Sequence, residues 1–250
     1  TLTPGELPGL TITPAAGSDA DFALTVTSTS TDTDTETPAT DTASVSTVIQ
    51  VTVNAVADDP ELTPPGDGPG PLGGDGVVQG IEDQAIALDI GAALTDTDGS
   101  ESLSITISGV PAGAALSAGT QTAPGVWTLT AGDLAGLTVT PPANSADDFQ
   151  LTVTATSTEA ANGDTASTTA TIDVVVAPAA DAPELSASDA SGDEDSAIAL
   201  DIASSLNDLD GSESLSITIS GVPAGAVLSA GSETAPGVWT LTPGELSGLT

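Results

Sequence analysis

The side chains that could do chemistry in this sequence are carboxylates, and they recur in one pattern. The first copy, DTDGSE, spans residues 96–101, and the second, DLDGSE, spans residues 208–213. Each copy places three acidic residues within six positions around a glycine that permits a tight turn. Calcium takes about six to eight oxygen ligands, from carboxylates and loop carbonyls. The pattern therefore predicts calcium as the cofactor, with a solvated turn as the alternative.

The composition leaves these carboxylates without an internal counter-charge. The 250 residues contain 36 Asp plus Glu and no Lys, Arg or His, so the formal net charge is -36. Two carboxylates about 5 Å apart repel each other by roughly 3 kcal/mol at an effective dielectric constant of about 20. Divalent cations are expected where such charges cluster. Bulk salt in a saline habitat is the alternative counter-charge.

The same absences exclude several classes of function. Without Lys or Arg, the chain cannot attract nucleic-acid phosphates or an anionic membrane surface. Without His, Cys, Lys or Tyr, it cannot form a Ser–His or Cys–His nucleophile pair. A glycosidase-type carboxylate pair needs an aromatic cleft, whereas the four aromatics Phe22, Trp127, Phe149 and Trp239 are expected in cores. We predict no enzyme activity, and no insertion into a membrane because no run of 18 apolar residues occurs.

Internal repeats divide the chain. DTDGSESLSITISGVPAGA (96–114) recurs 112 positions later at 208–226 with one difference, and the linkers ADDPEL (57–62) and ADAPEL (180–185) are alike. We therefore predict three segments. Residues 1–57 are the second half of one repeat, and residues 58–180 are a complete repeat with a Gly/Pro-rich insertion at 64–76. Residues 181–250 are the first part of a third repeat.

Alternation with a period of two predicts the fold class. Apolar residues alternate with Ser and Thr in the stretches 102–108, 149–157 and 170–176, which indicates strands with one buried face. Shorter strands are expected at 85–90, 115–117, 126–130 and 137–140, and one helical turn at each PGEL. Seven or eight short strands in about 112 residues predict an all-β protein of tandem immunoglobulin-like β-sandwich modules.

The alternation of loops between the two ends of a sandwich indicates which acidic residues meet. Candidates at the junction of the middle and third segments are Glu82, Asp83, Asp147, Asp148, Asp181, Asp208 and Asp210. Candidates at the preceding junction are Asp19, Asp21, Asp58, Asp59, Asp96 and Asp98. Further candidate metal ligands in the same motifs and linkers are Glu101, Glu184, Glu194, Asp195 and Glu213.

The order of motifs in this chain resembles that of the cadherin-like repeats of giant bacterial adhesins that are exported by type I secretion, the RTX adhesins. The motifs are the linker ADAPEL, the segment GDEDSAIALDI, the segment DLDGSESLSITISGVPAGA and an F-x-L-T-V-T strand. The resemblance implies an extender that holds a distal binding domain away from the cell and is stiffened by calcium at its junctions. The likeness to cadherins extends to Glu82, Asp181 and the pair Asp208-x-Asp210. The full cadherin DxNDN linker and the glycine-rich RTX nonapeptides are both missing.

These observations lead to an expectation of a structural or adhesive protein that is secreted to a bacterial cell surface. The alternative function is a module that itself binds a glycan or a cell-surface partner, and exposed tryptophan would favour it. The expected partners are neighbouring repeats, with head-to-tail or lateral self-association of chains as further options. We expect the chain to continue beyond both ends, with completion of each half-repeat by a neighbouring chain as the alternative. A glycan-bearing tip is the alternative to a plain loop in the Thr-rich run 27–42.

Overall fold

A computed structural model describes residues 1–33, 40–66 and 75–250 of the protein, and these residues form an all-β structure. The expectations for the centre of the Thr-rich run and for most of the Gly/Pro-rich insertion lie outside the described residues. Short 3₁₀ turns occur at Pro4–Glu6, Ala131–Leu134 and Pro243–Glu245, the first and last at the predicted PGEL turns. Within the described ranges, no helix is long and apolar enough to cross a membrane.

The first segment forms one antiparallel hairpin. Its strands are β1 (Phe22–Thr33) and β2 (Thr40–Val51), and Phe22 lies opposite Val51. One face carries Phe22 and Val26, and the other carries threonines. Val26 is 45% exposed, so nothing in the described chain covers the apolar face of this hairpin completely.

The middle segment contains two layers of sheet around one core. Its strands are β3 (Glu61–Thr63), β4 (Val77–Ile81), β5 (Ile86–Ala87), β6 (Gly91–Ala93), β7 (Glu101–Ser108), β8 (Ala115–Leu116), β9 (Thr120–Ala123), β10 (Val126–Leu129), β11 (Thr138–Thr140), β12 (Phe149–Glu159) and β13 (Thr165–Ala177). A six-stranded sheet has the order β4-β13-β12-β7-β10-β9, and smaller sheets have the orders β5-β11-β8 and β3-β6. Both layers contribute fully buried residues, such as Ile107 and Ile172 from the large sheet and Leu88 and Val139 from the other side. The arrangement is consistent with a β-sandwich, and the predicted all-β class is confirmed.

The pairing of the large sheet fixes which residues lie side by side. β12 pairs antiparallel with both β7 and β13, and this register places Glu159 opposite Glu101. β4 pairs with β13 in parallel, from Val77 opposite Asp173 to Ile81 opposite Ala177. Threonine and serine occupy the outer face, because alternate residues of each strand point away from the core.

Three of the four aromatic residues pack on the cores, as the sequence predicts, whereas Phe22 contacts neither core cluster of the described residues. Trp127 and Phe149 are half-buried and contact the core of the middle segment, and Trp239 contacts that of the third segment. The indole N–H groups of Trp127 and Trp239 are buried and have no partner among the described residues.

The third segment repeats part of the middle one. Its strands are β14 (Glu184–Ala187), β15 (Ile202–Ser205), β16 (Ile217–Ser220), β17 (Ser232–Ala235) and β18 (Val238–Leu241). The sheet β16-β18-β17 corresponds to β7-β10-β9, but residues 181–250 contain no counterpart of the β12–β13 hairpin. Ile198 is consequently 37% exposed, whereas its counterpart Ile86 is 4% exposed.

Candidate metal centre

Three carboxylates from two segments meet where the middle segment is followed by the third. Glu82 comes directly after β4, and Asp208 and Asp210 lie in the loop after β15. One oxygen of each lies within 4.8 Å of the others. The sequence argument placed these three residues at one junction, and the structure brings them together.

Burial makes this cluster unusual. Glu82 is 2% exposed and Asp208 is 1% exposed, while Asp210 is exposed. The amide of Ala179 donates a hydrogen bond to Glu82 Oε1 at 2.5 Å, but Glu82 Oε2 is buried without any partner in the described chain. Like charges this close repel each other, and the burial of Glu82 and Asp208 reduces the screening of that repulsion by water. The cluster therefore has both an unsatisfied oxygen and an uncompensated charge.

Asp210 connects the two segments by a direct hydrogen bond. The amide of Ala146 donates to Asp210 Oδ2 at 3.0 Å, and the amide of Ser212 donates to Oδ1 at 2.7 Å. These bonds favour the charged carboxylate, so they lower the pKa of Asp210 to about 2, with the Ala146 amide as the largest cause and Ser212 next. Asp210 thus stays ionised and able to bind a cation down to low pH.

The available donors restrict the kind of metal. Every ligand that the cluster offers is a carboxylate oxygen, and the chain has no His or Cys to supply nitrogen or sulfur. Oxygen-only sets suit hard cations such as calcium and magnesium, whereas structural zinc sites use His and Cys. The buried orphan oxygen of Glu82 shows that the residues present fit a bound cation.

The linker before the third segment is tied to the same region. The amide of Asp181 donates to Glu213 Oε1 at 2.5 Å, and Glu213 Oε2 is buried without a partner among the described residues. Asn207 Nδ2 donates to the carbonyl of Ala182 at 2.7 Å, and Asn144 Nδ2 of the middle segment donates to the carbonyl of Asn207 at 3.0 Å. Sequence reasoning did not identify these asparagines.

The boundary between the first and middle segments repeats this arrangement. The amide of Asp58 donates to Glu101 Oε1 at 2.7 Å, as that of Asp181 does to Glu213. Glu101 Oε2 is also buried without a partner in the described chain. Asp19 and Asp96 line a cavity of about 250 Å³ together with Asp58.

Asp98 is the counterpart of Asp210 at this first boundary. The hydroxyl and then the amide of Ser100 lower the pKa of Asp98, and the amide of Asp19 from the first segment adds to the effect. At both boundaries an amide of the preceding segment thus contributes to the lowered pKa of the second aspartate of the DxD motif.

Glu159 is the acidic residue that sequence reasoning missed. It lines the same cavity, is 2% exposed and accepts a hydrogen bond from Ser100 Oγ at 2.8 Å through Oε1, while its Oε2 has no partner among the described residues. The one available signal was parity, because Phe149, Leu151 and Val153 point inward and the same alternation carried on to position 159 gives a buried glutamate.

The remaining predicted ligands lie elsewhere. Asp21 accepts a hydrogen bond from the amide of Val53, and its counterpart Asp148 accepts one from the amide of Val176, each at 2.8 Å. Asp83 accepts a hydrogen bond from the amide of Asn144 at 2.9 Å. The last five predicted ligands are exposed and do not belong to the three-carboxylate cluster; they are Asp59, Asp147, Glu184, Glu194 and Asp195.

The tip of the β12–β13 hairpin holds the first linker directly. Asn162 Nδ2 donates to the carbonyl of Ala55 at 2.8 Å, and the amide of Ala57 donates to Asp164 Oδ2 at 3.2 Å. Direct hydrogen bonds thus supplement any metal at this boundary.

What the chain does has to be inferred from its own residues. No family model matches it, and comparisons with curated proteins and with solved structures also found no match.

Proposed function

We propose that this chain is part of a structural extender in a bacterial cell-surface adhesin or extracellular filament. Its segments belong to tandem immunoglobulin-like, cadherin-like β-sandwich modules of about 112 residues, with calcium bound between the middle and third segments. The observation that carries the proposal is the buried, unpartnered oxygen of Glu82 beside Asp208 and Asp210 of the next segment.

The placement of these ligands explains how calcium would stiffen the chain. Glu82 is supplied by one segment, and Asp208 and Asp210 by the next, so a cation bound to all three fixes two segments relative to each other. Bound calcium supplies positive charge and further coordination, which removes the mutual repulsion of the carboxylates. In its absence, the same repulsion favours separation of the segments.

The packing of Trp127 and Trp239 against the cores supports a structural role over glycan binding. Sugar-binding sites present exposed aromatic faces, whereas Trp127 and Trp239 pack on the cores with their indole N–H groups buried. The uniform negative charge supports an extended array, since it opposes collapse of neighbouring segments onto one another. The partners that this role requires are neighbouring repeats.

Thermal unfolding of the 250-residue chain in three solutions tests the proposal. The solutions contain EDTA, millimolar calcium, or sodium chloride at the ionic strength of the calcium sample. A ligand that binds only the native state stabilises it by RT ln(1 + [L]/Kd), which is about 2.7 kcal/mol at 100 times Kd. We expect calcium to raise the melting temperature well above the sodium chloride value. Equal melting temperatures in calcium and sodium chloride would contradict a specific site and favour general screening.

A further inference from the structure

Two glutamates, each with a buried carboxylate oxygen, face each other at the end of the middle segment nearest the first segment. Glu101 begins β7 and Glu159 ends β12, and the antiparallel register places them directly opposite each other. Residues opposite each other on one face of a sheet have Cβ atoms about 5 Å apart. The pair therefore brings two carboxylates together at the rim of the core.

Each glutamate uses one oxygen within the protein and leaves the other unused. Glu101 Oε1 accepts the amide of Asp58, and Glu159 Oε1 accepts the hydroxyl of Ser100. Both Oε2 atoms are buried without a partner in the described chain, and Glu159 as a whole is 2% exposed. An unpaired buried charge is costly, and no Lys, Arg or His exists in the sequence to offset it.

The surroundings of the pair provide room and further oxygens. Glu159 lines the cavity of about 250 Å³ whose wall also contains Asp58, Asp96 and Asp19. The carbonyl of Asp58 accepts the hydroxyl of Ser157 at 2.6 Å, which anchors the linker against β12. Carboxylate and carbonyl oxygens are the ligands that hard divalent cations take, and the cavity gives a cation and its water molecules access to Glu159.

We propose that Glu101 and Glu159 together bind a divalent cation, with calcium as the best chemical match. The site differs in kind from the Glu82 cluster, because both glutamates belong to the middle segment. The inference deepens the proposed function by adding a second class of site, but it uses none of the same residues. The two proposals can therefore fail separately.

Substitution of Glu159 by glutamine should have effects of opposite sign with and without calcium. Glutamine retains Oε1 as the acceptor for Ser100, and its amide group can donate to Glu101. In EDTA, Glu159→Gln removes a buried charge beside another charge, so we expect a higher melting temperature than that of the wild type. In calcium, it removes a ligand, so we expect a smaller calcium-induced rise.

Calorimetric titration of the full 250-residue chain with calcium chloride provides the second measurement. We expect Glu159→Gln, and independently Glu101→Gln, to weaken one class of site by about tenfold or more, because ligand charge sets calcium affinity. Asp89→Asn is the matched control, since Asp89 is exposed and its loss changes the net charge equally. We expect this control to titrate like the wild type.

The outcomes separate the two proposals. Loss of one class of site in Glu159→Gln and of another in Asp208→Asn/Asp210→Asn supports both. If both glutamine variants bind calcium in the calorimeter as the wild type does, the Glu101–Glu159 site is overturned and the Glu82 site is unaffected. A loss confined to the glutamine variants would support the pair and contradict the Glu82 site. Equal melting temperatures of Glu159→Gln and wild type in both solutions would also overturn the cation site.

Discussion

Four glutamates share one property at the scale of single residues. Each has a buried carboxylate oxygen without a partner in the described chain, and all four lie near a boundary between segments; they are Glu82, Glu101, Glu159 and Glu213. Leaving a buried acceptor unsatisfied costs about 1–3 kcal/mol, and more when the group is charged. Their occurrence at both boundaries is the observation on which the two proposed cation sites rest.

Titration of Asp210 tests the direct bond between the middle and third segments. Its pKa is lowered from 3.8 to about 2 because the amide of Ala146 and Ser212 stabilise the carboxylate. A lowered native pKa means that this contact contributes its full stability above about pH 4 and loses it as the pH falls through 2. We expect the Asp210 carboxyl ¹³C shift in calcium-free protein to titrate near pH 2. A midpoint near 3.8 would contradict the hydrogen bond to Ala146.

At the scale of elements, the repeat provides matched pairs of residues that differ in burial. Ile107 in β7 and Ile219 in β16 occupy the same position of the recurring SLSITIS stretch. Ile107 is fully buried because β12 pairs with β7, whereas Ile219 is half-buried because residues 181–250 contain no counterpart of β12. We therefore expect the same local sequence to contribute more to the free energy of unfolding in the middle segment than in the third.

Alanine substitutions at these two positions should have unequal effects. Ile107→Ala removes fully buried methyl and methylene groups, so we expect a loss of about 2–5 kcal/mol in the free energy of unfolding of the middle segment. Ile219→Ala should cost clearly less, because part of that side chain is already in contact with water. Urea unfolding followed by circular dichroism measures both. Equal losses would show that Ile219 is covered in solution, for example by a second copy of the chain.

Local alternation predicted the long strands well because they have one buried face. The stretches 102–108 and 149–157 are β7 and β12, apart from one or two residues at their ends. Of the stretch 85–90, predicted as a single strand, only Ile86–Ala87 is a strand, which pairs with β11; the next strand, β6, begins at Gly91 and pairs with β3. Alternation does not report a change of pairing partner.

The parts of the candidate sites that the sequence did not reveal depend on strand register and on pairing between strands that are distant in the chain. Glu159 became a candidate only when β12 was paired with β7, because no motif surrounds it. The parallel pairing of β4 with β13 joins residues about 100 positions apart and leaves no local signal. Glu82, Asp208 and Asp210 could be anticipated because each lies in a loop whose end of the sandwich follows from strand order.

At the scale of the whole molecule, both boundaries repeat one geometry. Gly17 and Asn144 occupy corresponding loop positions and have φ values of 59° and 53°. The amide two positions after each contributes to the lowered pKa of the second aspartate in the DxD motif that follows. Glycine and asparagine are the residues that adopt this left-handed conformation most readily. A repeated boundary is what a regular tandem array requires.

Small-angle scattering of the full chain tests whether the acidic cluster stiffens it. Asp208→Asn/Asp210→Asn removes two candidate ligands outside the hydrophobic cores, so we expect a broader distance distribution in calcium with unchanged circular dichroism. The matched control is Asp189→Asn/Asp193→Asn, which removes two charges at exposed positions of the same segment. Unchanged scattering by the cluster variant, or an unfolded third segment, would contradict a ligand role between segments.

The parallel pairing of β4 with β13 has a mechanical consequence. β4 follows the boundary with the first segment, and β13 ends just before the boundary with the third. Tension along the chain therefore pulls β4 from its N-terminal end and β13 from its C-terminal end, in opposite directions. Their five residue pairs, from Val77 opposite Asp173 to Ile81 opposite Ala177, then carry the load together in shear. Bonds loaded in parallel must break almost simultaneously, whereas those of a hairpin pulled at its open end break one by one. If the chain is the extender proposed above, this pairing places a shear-loaded contact along the direction in which the middle segment would be pulled.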